Sequence, residues 1–271
     1  MLLHFVVALH CEAAPIIEFY KLKSIHNTLP QVYRNESVCL VVTGIGGLAC
    51  ASAVGYLAGL LKSDKCGVWI NIGIAGHQQF SRGTVCLVRK VTELATGKAI
   101  YPSLPFSTRI PRADCFYVDR AEVQFNENGL YEMESFAFFK AAWRFCTIDY
   151  VHSIKVVSDN RLETADQITH SIISSLVGSQ LEMVDRNLVV PLCCIVENLR
   201  SETSQFDIEL YTDKWHFSET NRLRLSRILR QFAALTDNQL PNIEDYKHCN
   251  KATEFLNDVE SNLQCCEMRL I

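Results

Sequence analysis

Apolar residues in this chain fall into short runs that end at glycine turns or acidic clusters, with longer amphipathic stretches between them. Leu3 to Leu9 is a nearly continuous apolar run, as are Val38 to Thr43, Gly67 to Ile72, Thr84 to Val91 and Val151 to Val157. Short runs with little alternation predict strands buried on both faces. Helical patterns lie between them. Ala13 to Tyr20 begins one, Leu48 to Leu61 is rich in Ala and Leu, Ser135 to Phe145 is dense in aromatics, and Thr164 to Val184 is amphipathic. The aromatics Phe136, Phe138, Phe139, Trp143 and Phe145 are read as core. Strands alternating with helices predict an α/β fold whose sheet is mainly parallel and covered on both faces. Ala95 to Asn128, with Pro102, Pro105 and Pro111, is expected to be irregular.

The chain beyond Arg186 reads differently. Ser218 is a candidate N-cap for a helix reaching Leu235, with Leu225, Ile228, Leu229, Phe232 and Leu235 as its buried stripe. Arg222, Arg224, Arg227 and Arg230 lie mostly off that stripe, as a solvated face. Lys251 to Leu263 is a last candidate helix. The expected organisation is a core over residues 1–185 and a partly helical extension over 186–271, packed on that core.

Composition narrows the function classes. With a net charge of −4, the chain has no electrostatic reason to seek nucleic acid or an anionic membrane. Among its 12 cysteines there is no CxxC pair, and Cys193-Cys194 and Cys265-Cys266 lack metal-ligand spacing. Cys39, Cys50, Cys86 and Cys146 sit in apolar runs and read as buried thiols, so a reducing cytoplasm is expected. The segment Met1 to Leu9 lacks a basic leader and a small-residue cleavage site, and reads as a first core strand. No apolar stretch is long enough and free enough of charge to predict a membrane span.

The candidate chemistry lies at the strand ends. Tyr131-Glu132-Met133-Glu134 and Lys155-Val156-Val157-Ser158-Asp159 each follow apolar sequence and precede a helical pattern, and Glu12 comes just after the first strand. Carboxylates placed there project into the crevice where α/β sheets bind ligands. Gly44-Ile45-Gly46-Gly47 and Gly73-Ile74-Ala75-Gly76 mark two more strand ends where backbone can approach a ligand. Neither completes a dinucleotide fingerprint, and no GxxxxGK[ST] exists. Each acid also has a plain structural reading. Glu12 is an acidic residue in a first helical turn, and Asp159 is a possible helix cap.

Gly44-Ile45-Gly46 opening a helix, Asn71 to Gly76, Glu132-Met133-Glu134 and Val157-Ser158-Asp159, in that order, resemble the nucleoside phosphorylase/nucleosidase superfamily. They are most similar to the methylthioadenosine/adenosylhomocysteine-type nucleosidases. The resemblance covers roughly residues 1–185. It implies a three-layer, nucleoside-phosphorylase-like core with a central, mainly parallel mixed sheet. It also implies hydrolysis of the N-ribosyl bond of a purine nucleoside or 5′-modified purine nucleoside. No metal or organic cofactor is expected, and a homo-oligomer is.

In that reading Glu12 activates water, Asp159 protonates the base and Ser158 holds the Asp159 carboxyl. Glu134 binds the ribose hydroxyls and Met133 packs on the sugar. Glu132 completes the motif, Ile45 lies near the 5′ substituent, and Ile74, Ala75 and Gly76 border the ligand. The superfamily's phosphorylases commonly carry arginine where this chain has Asn71, and serine or threonine where it has Ile74. The nucleosidases usually keep serine at the second position, so Ile74 departs from both. Phosphorolysis and non-catalytic nucleoside binding are the alternatives. Phe116 and Tyr117 are candidates to stack on a base, His10 is a weaker candidate proton shuttle, and Thr96 to Pro102 is a candidate lid.

Overall fold

A computed structural model describes residues 3–60, 67–122, 124–204, 208–235 and 240–267. Met1, Leu2, Leu61 and the stretch 236–239 lie outside the described residues, as do the side chains of Leu235, Cys265 and Cys266. The chain divides into two compact units, Met1–Glu197 and Asn198–Ile271.

The strands of the first unit are β1 (Leu3–Val7), β2 (Lys23–Ser24), β3 (Gln31–Arg34), β4 (Val38–Val42), β5 (Val68–His77), β6 (Val85–Glu93), β7 (Ala99–Ile100), β8 (Arg112–Tyr117), β9 (Leu130–Glu132) and β10 (Val151–Asp159). Its helices are α1 (His10–Phe19), α2 (Gly47–Leu60), α3 (Ser135–Ala142) and α4 (His170–Val184). A wider π-type turn, Asp185–Val189, leads from α4 into α5 (Val190–Ser204), which crosses the division between the units.

All ten strands belong to one sheet. β5, β10, β6, β8 and β9 pair in sequence and close on themselves as a small barrel. From β5 the sheet continues outward through β1, β4, β3 and β2. The expectation of a mainly parallel sheet needs narrowing. The inner set β4-β1-β5-β10 is parallel, but β3, β7 and the β10–β6 and β5–β9 contacts are antiparallel.

Alternation along the strands splits the core between two faces. Leu3, Phe5 and Val7 belong to one buried cluster, whereas Val6 belongs to the other. Helices α1 and α4 cover the first face and α2 and α3 the second, giving the expected three layers. Phe136, Phe138 and Phe139 of α3 are buried in the second cluster, as core aromatics should be.

Several boundaries differ from the sequence reading. β5 runs through Gly73-Ile74-Ala75-Gly76 to His77, where the strand was expected to end. β7 and β8 lie inside the stretch expected to be irregular, and β8 supplies one wall of the barrel. The helix expected from Thr164 begins at His170, because Thr169 is the cap and accepts a bond from the Ile172 amide at 3.3 Å. The units divide at Glu197 rather than at 185, because Leu188, Val189, Leu192 and Val196 pack into the first core.

The described part of the second unit contains α6 (Ile208–Thr212), α7 (Glu219–Leu235), a short 3₁₀ turn (Ile243–Tyr246) and α8 (Ala252–Glu267). Leu225, Ile228 and Leu229 of α7 are buried with Phe255 of α8, and Trp215 stacks on Phe255 at 4.4 Å. Ser218 caps α7 through the Asn221 amide. Arg224 and Arg227 pair with Glu260, which accounts for half of the arginine face as ordinary surface charge. No helix among the described residues is long and apolar enough to cross a membrane.

Ile70 sits fully buried in β5, between β1 and β10. Ile70→Ala is expected to cost about 2–5 kcal/mol through lost packing and the cavity left behind. Leu223, 72% exposed on α7, should change stability by less than about 0.5 kcal/mol when replaced by Ala. Urea midpoints of the two variants provide the check, and equal shifts would contradict this placement of the core.

Candidate active site

The carboxyl ends of β1, β5, β9 and β10 surround a cavity of about 410 Å³. Ten of the residues singled out in the sequence line it: Glu12, Ile45, Ile74, Ala75, Gly76, Glu132, Met133, Glu134, Ser158 and Asp159. They come from five separate segments of the chain. What brings them together is the parallel core, which sends β1, β5 and β10 to the same edge.

Glu12 is the third residue of α1 and is almost fully buried. Its Oε2 accepts from the Leu9 N–H at 2.8 Å, which closes the first turn of the helix as an acid at this position commonly does. Its Oε1 accepts from the Ile74 N–H of β5 at 2.9 Å. A Cβ at residue 73 would lie 2.8 Å from that oxygen, so only glycine there lets α1 come so close to β5. Burial pushes the Glu12 carboxyl up to about 7, against the two N–H bonds and the Lys155 charge, which pull it down.

Glu134 stands immediately before α3. Its Oε1 accepts from the Gly46 N–H at 2.7 Å, tying the start of α2 to that of α3. Gly46 holds φ at +97°, a conformation that strains other residues. Burial and the Glu132 charge raise the Glu134 carboxyl, while Lys155 opposes them.

Glu132 lines the cavity, but its carboxylate is engaged in holding the strand end. It pairs with Lys155 Nζ at 2.7 Å and accepts from the Glu134 and Ser135 amides at 3.1 and 2.8 Å. It also accepts from Ser135 Oγ at 2.8 Å. Ser135 Oγ lies 2.8 Å from Ser153 Oγ, which donates to Asn71 Oδ1 at 2.9 Å. The Asn71 amide in turn donates to the Val6 carbonyl at 3.1 Å. This buried chain of bonds links β1, β5, β10 and the start of α3. Sequence reasoning missed its hub. The available signal was Lys155 itself, a charge inside an apolar strand run, which requires a buried partner.

Ser158 Oγ donates to Asp159 Oδ1 at 2.5 Å. Arg82 Nε donates to the Ser158 carbonyl at 2.8 Å. Burial raises the Asp159 carboxyl, while the Ser158 bond and the Arg82 charge draw it back. Ile45 is 60% exposed. Together with Met133, it also borders a second cavity of about 260 Å³ that Tyr117 lines.

Other residues differ from expectation. Phe116 packs on Tyr131 and Tyr117 on Phe136, and neither lines the larger cavity, whereas Tyr131 does. His10 is exposed and lies outside the lining. None of Thr96 to Pro102 lines the cavity, and Ala99–Ile100 instead pairs with β6. Ile168, His170 and Ile173 do line it. Their apolar pattern reads equally well as a helix packing face, so no sequence signal separated them. No lysine or arginine lines the cavity among the described residues.

Solved structures of nucleosidases share this fold. The 5′-methylthioadenosine nucleosidase of Arabidopsis thaliana is 17% identical, with 68% of this chain and 94% of that chain covered at a TM-score of 0.54. For the 5′-methylthioadenosine/S-adenosylhomocysteine nucleosidase of S. pneumoniae, solved with a transition-state inhibitor, the values are 18%, 68%, 100% and 0.51. For the futalosine hydrolase of Helicobacter pylori they are 11%, 68%, 95% and 0.53. No protein-family model and no curated protein matches the chain by sequence.

Two measurements test these electrostatics. Between pH 4.5 and about 7 folded Glu12 keeps a proton that the unfolded chain releases. Stability should therefore fall as pH rises through that window, by about 3 kcal/mol from this group. Glu12→Gln should flatten the fall of the urea midpoint, and identical slopes would refute buried protonation. Lys155→Met should cost about 3–5 kcal/mol by leaving Glu132 charged, buried and unpaired. Adding Glu132→Gln should recover part of that loss.

Proposed function

We propose that the first unit is a nucleosidase that hydrolyses the N-ribosyl bond of a purine nucleoside or 5′-modified purine nucleoside. The observation that carries this reading is the convergence of Glu12, Glu134 and the Ser158–Asp159 pair on one cavity. Cleavage of this bond produces an oxocarbenium-like sugar and a purine that must be protonated. Asp159 is the acid that delivers the proton to purine N7, and its raised affinity for a proton suits that task. The Ser158 hydroxyl engages Oδ1, which leaves Oδ2 to carry the proton.

Glu134 accepts hydrogen bonds from the ribose hydroxyls, and its charge stabilises the cationic sugar. Met133 packs against the sugar, and Ile45 borders the 5′ substituent at the exposed side of the cavity. Ala75 and Gly76 offer backbone beside the base. Glu12 takes a proton from the attacking water, and a carboxyl near 7 is poised for that transfer at neutral pH. Glu132 serves indirectly, by fixing the backbone from which Glu134 projects. The chemistry uses these side chains and water. The free thiols at the described cysteines support a reducing, cytoplasmic setting.

Phosphorolysis has less support. A phosphate needs cations and donors, whereas Ile74 presents an apolar side chain and the Asn71 amide is bound to Val6. The named nucleosidases among the similar structures support hydrolysis as the reaction class.

Release of free base from adenosine, inosine, methylthioadenosine and adenosylhomocysteine, with and without phosphate, is the direct test. Phosphate-independent release is expected, with kcat/KM rising toward pH 7 as Glu12 ionises. Glu12→Gln and Asp159→Asn should each lower kcat by about 10²–10⁴-fold. Release that requires phosphate would establish a phosphorylase instead. Binding without release of any base would establish a nucleoside-binding protein.

A further inference from the structure

The helical unit brings three different ligand types to one point. His248 Nε2, Cys249 Sγ and an Asp258 carboxylate oxygen all lie within 4.8 Å of one another. Asp258 Oδ2 is the common partner, 2.7 Å from His248 Nε2 and 3.4 Å from Cys249 Sγ. A tetrahedral zinc ion holds nitrogen, oxygen and sulfur ligands at about 2.0–2.3 Å, so donor atoms around it stand roughly 3.3–3.8 Å apart.

The backbone beneath this cluster is fixed. The Cys249 N–H donates to the Tyr246 carbonyl at 3.0 Å, and the Cys249 carbonyl accepts from Trp215 Nε1 at 2.8 Å. The Glu254 carboxylate accepts from the Asn250 amide at 2.8 Å, closing the turn onto the first residues of α8. Cys249 is 4% exposed and approaches from the core side. His248 and Asp258 are largely open to solvent, which leaves an entry path and room for a water. As a bare surface ion pair, His248–Asp258 would be worth little. Thiolate, imidazole and carboxylate together suit zinc better than magnesium or calcium, which prefer oxygen throughout.

We propose that His248, Cys249 and Asp258 form a zinc site, completed by a water, that fastens the turn after Tyr246 to α8. Zinc displaces the thiol proton of Cys249 to solvent and takes neutral His248 through Nε2.

The full-length chain, stripped with a chelator, should bind Zn²⁺ in calorimetry with a rise in thermal stability. His248→Gln and Asp258→Asn should each weaken binding by about tenfold or more. His248 is exposed and Asp258 is half-buried, so these variants are expected to keep the fold even if Cys249→Ser does not. Co²⁺ should give a thiolate-to-metal absorption band in the wild type that Cys249→Ser abolishes. No uptake, or uptake unchanged in His248→Gln and Asp258→Asn, would overturn the site.

Discussion

One ammonium group holds the acidic end of the first unit together. Lys155 is the only lysine or arginine buried among the described residues, and it shares its surroundings with the buried carboxylates Glu12, Glu132 and Glu134. Burial alone would strip its proton, but Glu132 and Glu134 outweigh that and push the ammonium up. A single positive charge cannot neutralise three negative ones. The ion pair goes to Glu132, and burial, with a smaller push from neighbouring carboxylates, raises the proton affinity of Glu12 and Glu134. The groups proposed to handle protons and charge are thus tuned mainly by their burial, which the fold maintains at a cost in stability.

The same pair sets geometry. Glu132 gathers the Glu134 and Ser135 amides, so the break between β9 and α3 is locked where Glu134 must point back toward Gly46. Through Ser135, Ser153 and Asn71 the lock reaches β10, β5 and β1, the strands whose ends border the cavity. Buried polar networks are stabilising only when every member has a partner, and each of these side chains has one.

Much of this was readable from the residues. Apolar runs located β1, β4, β6 and β10, and the acidic clusters at strand ends pointed to one cavity. The failures share a cause: local pattern is silent where distant partners decide. Arg112 to Tyr117 alternates polar and apolar residues weakly, and becomes β8 because β6 and β9 flank it. Gly73 and Gly76 read as a strand end, yet β5 continues through them and they leave room for the Glu12 and Asp159 carboxylates. His248 and Cys249 carry no recognisable ligand spacing, since Asp258 joins them only once α8 has formed. The two readings of Glu12 also proved compatible, because the acid that closes the first turn of α1 lines the cavity as well.

Ile74 illustrates how this design separates what must be kept from what can vary. The Glu12 carboxylate is gripped by the main-chain N–H groups of Leu9 and Ile74. Every residue but proline brings such a group, so the clamp does not depend on which side chains stand at positions 9 and 74. Both of those side chains line the cavity. The wall can therefore be resurfaced, by drift or by engineering, to admit differently shaped molecules while the acid stays where it is. A hydroxyl at position 74 is then an option for ligand selectivity rather than a requirement for assembling the site.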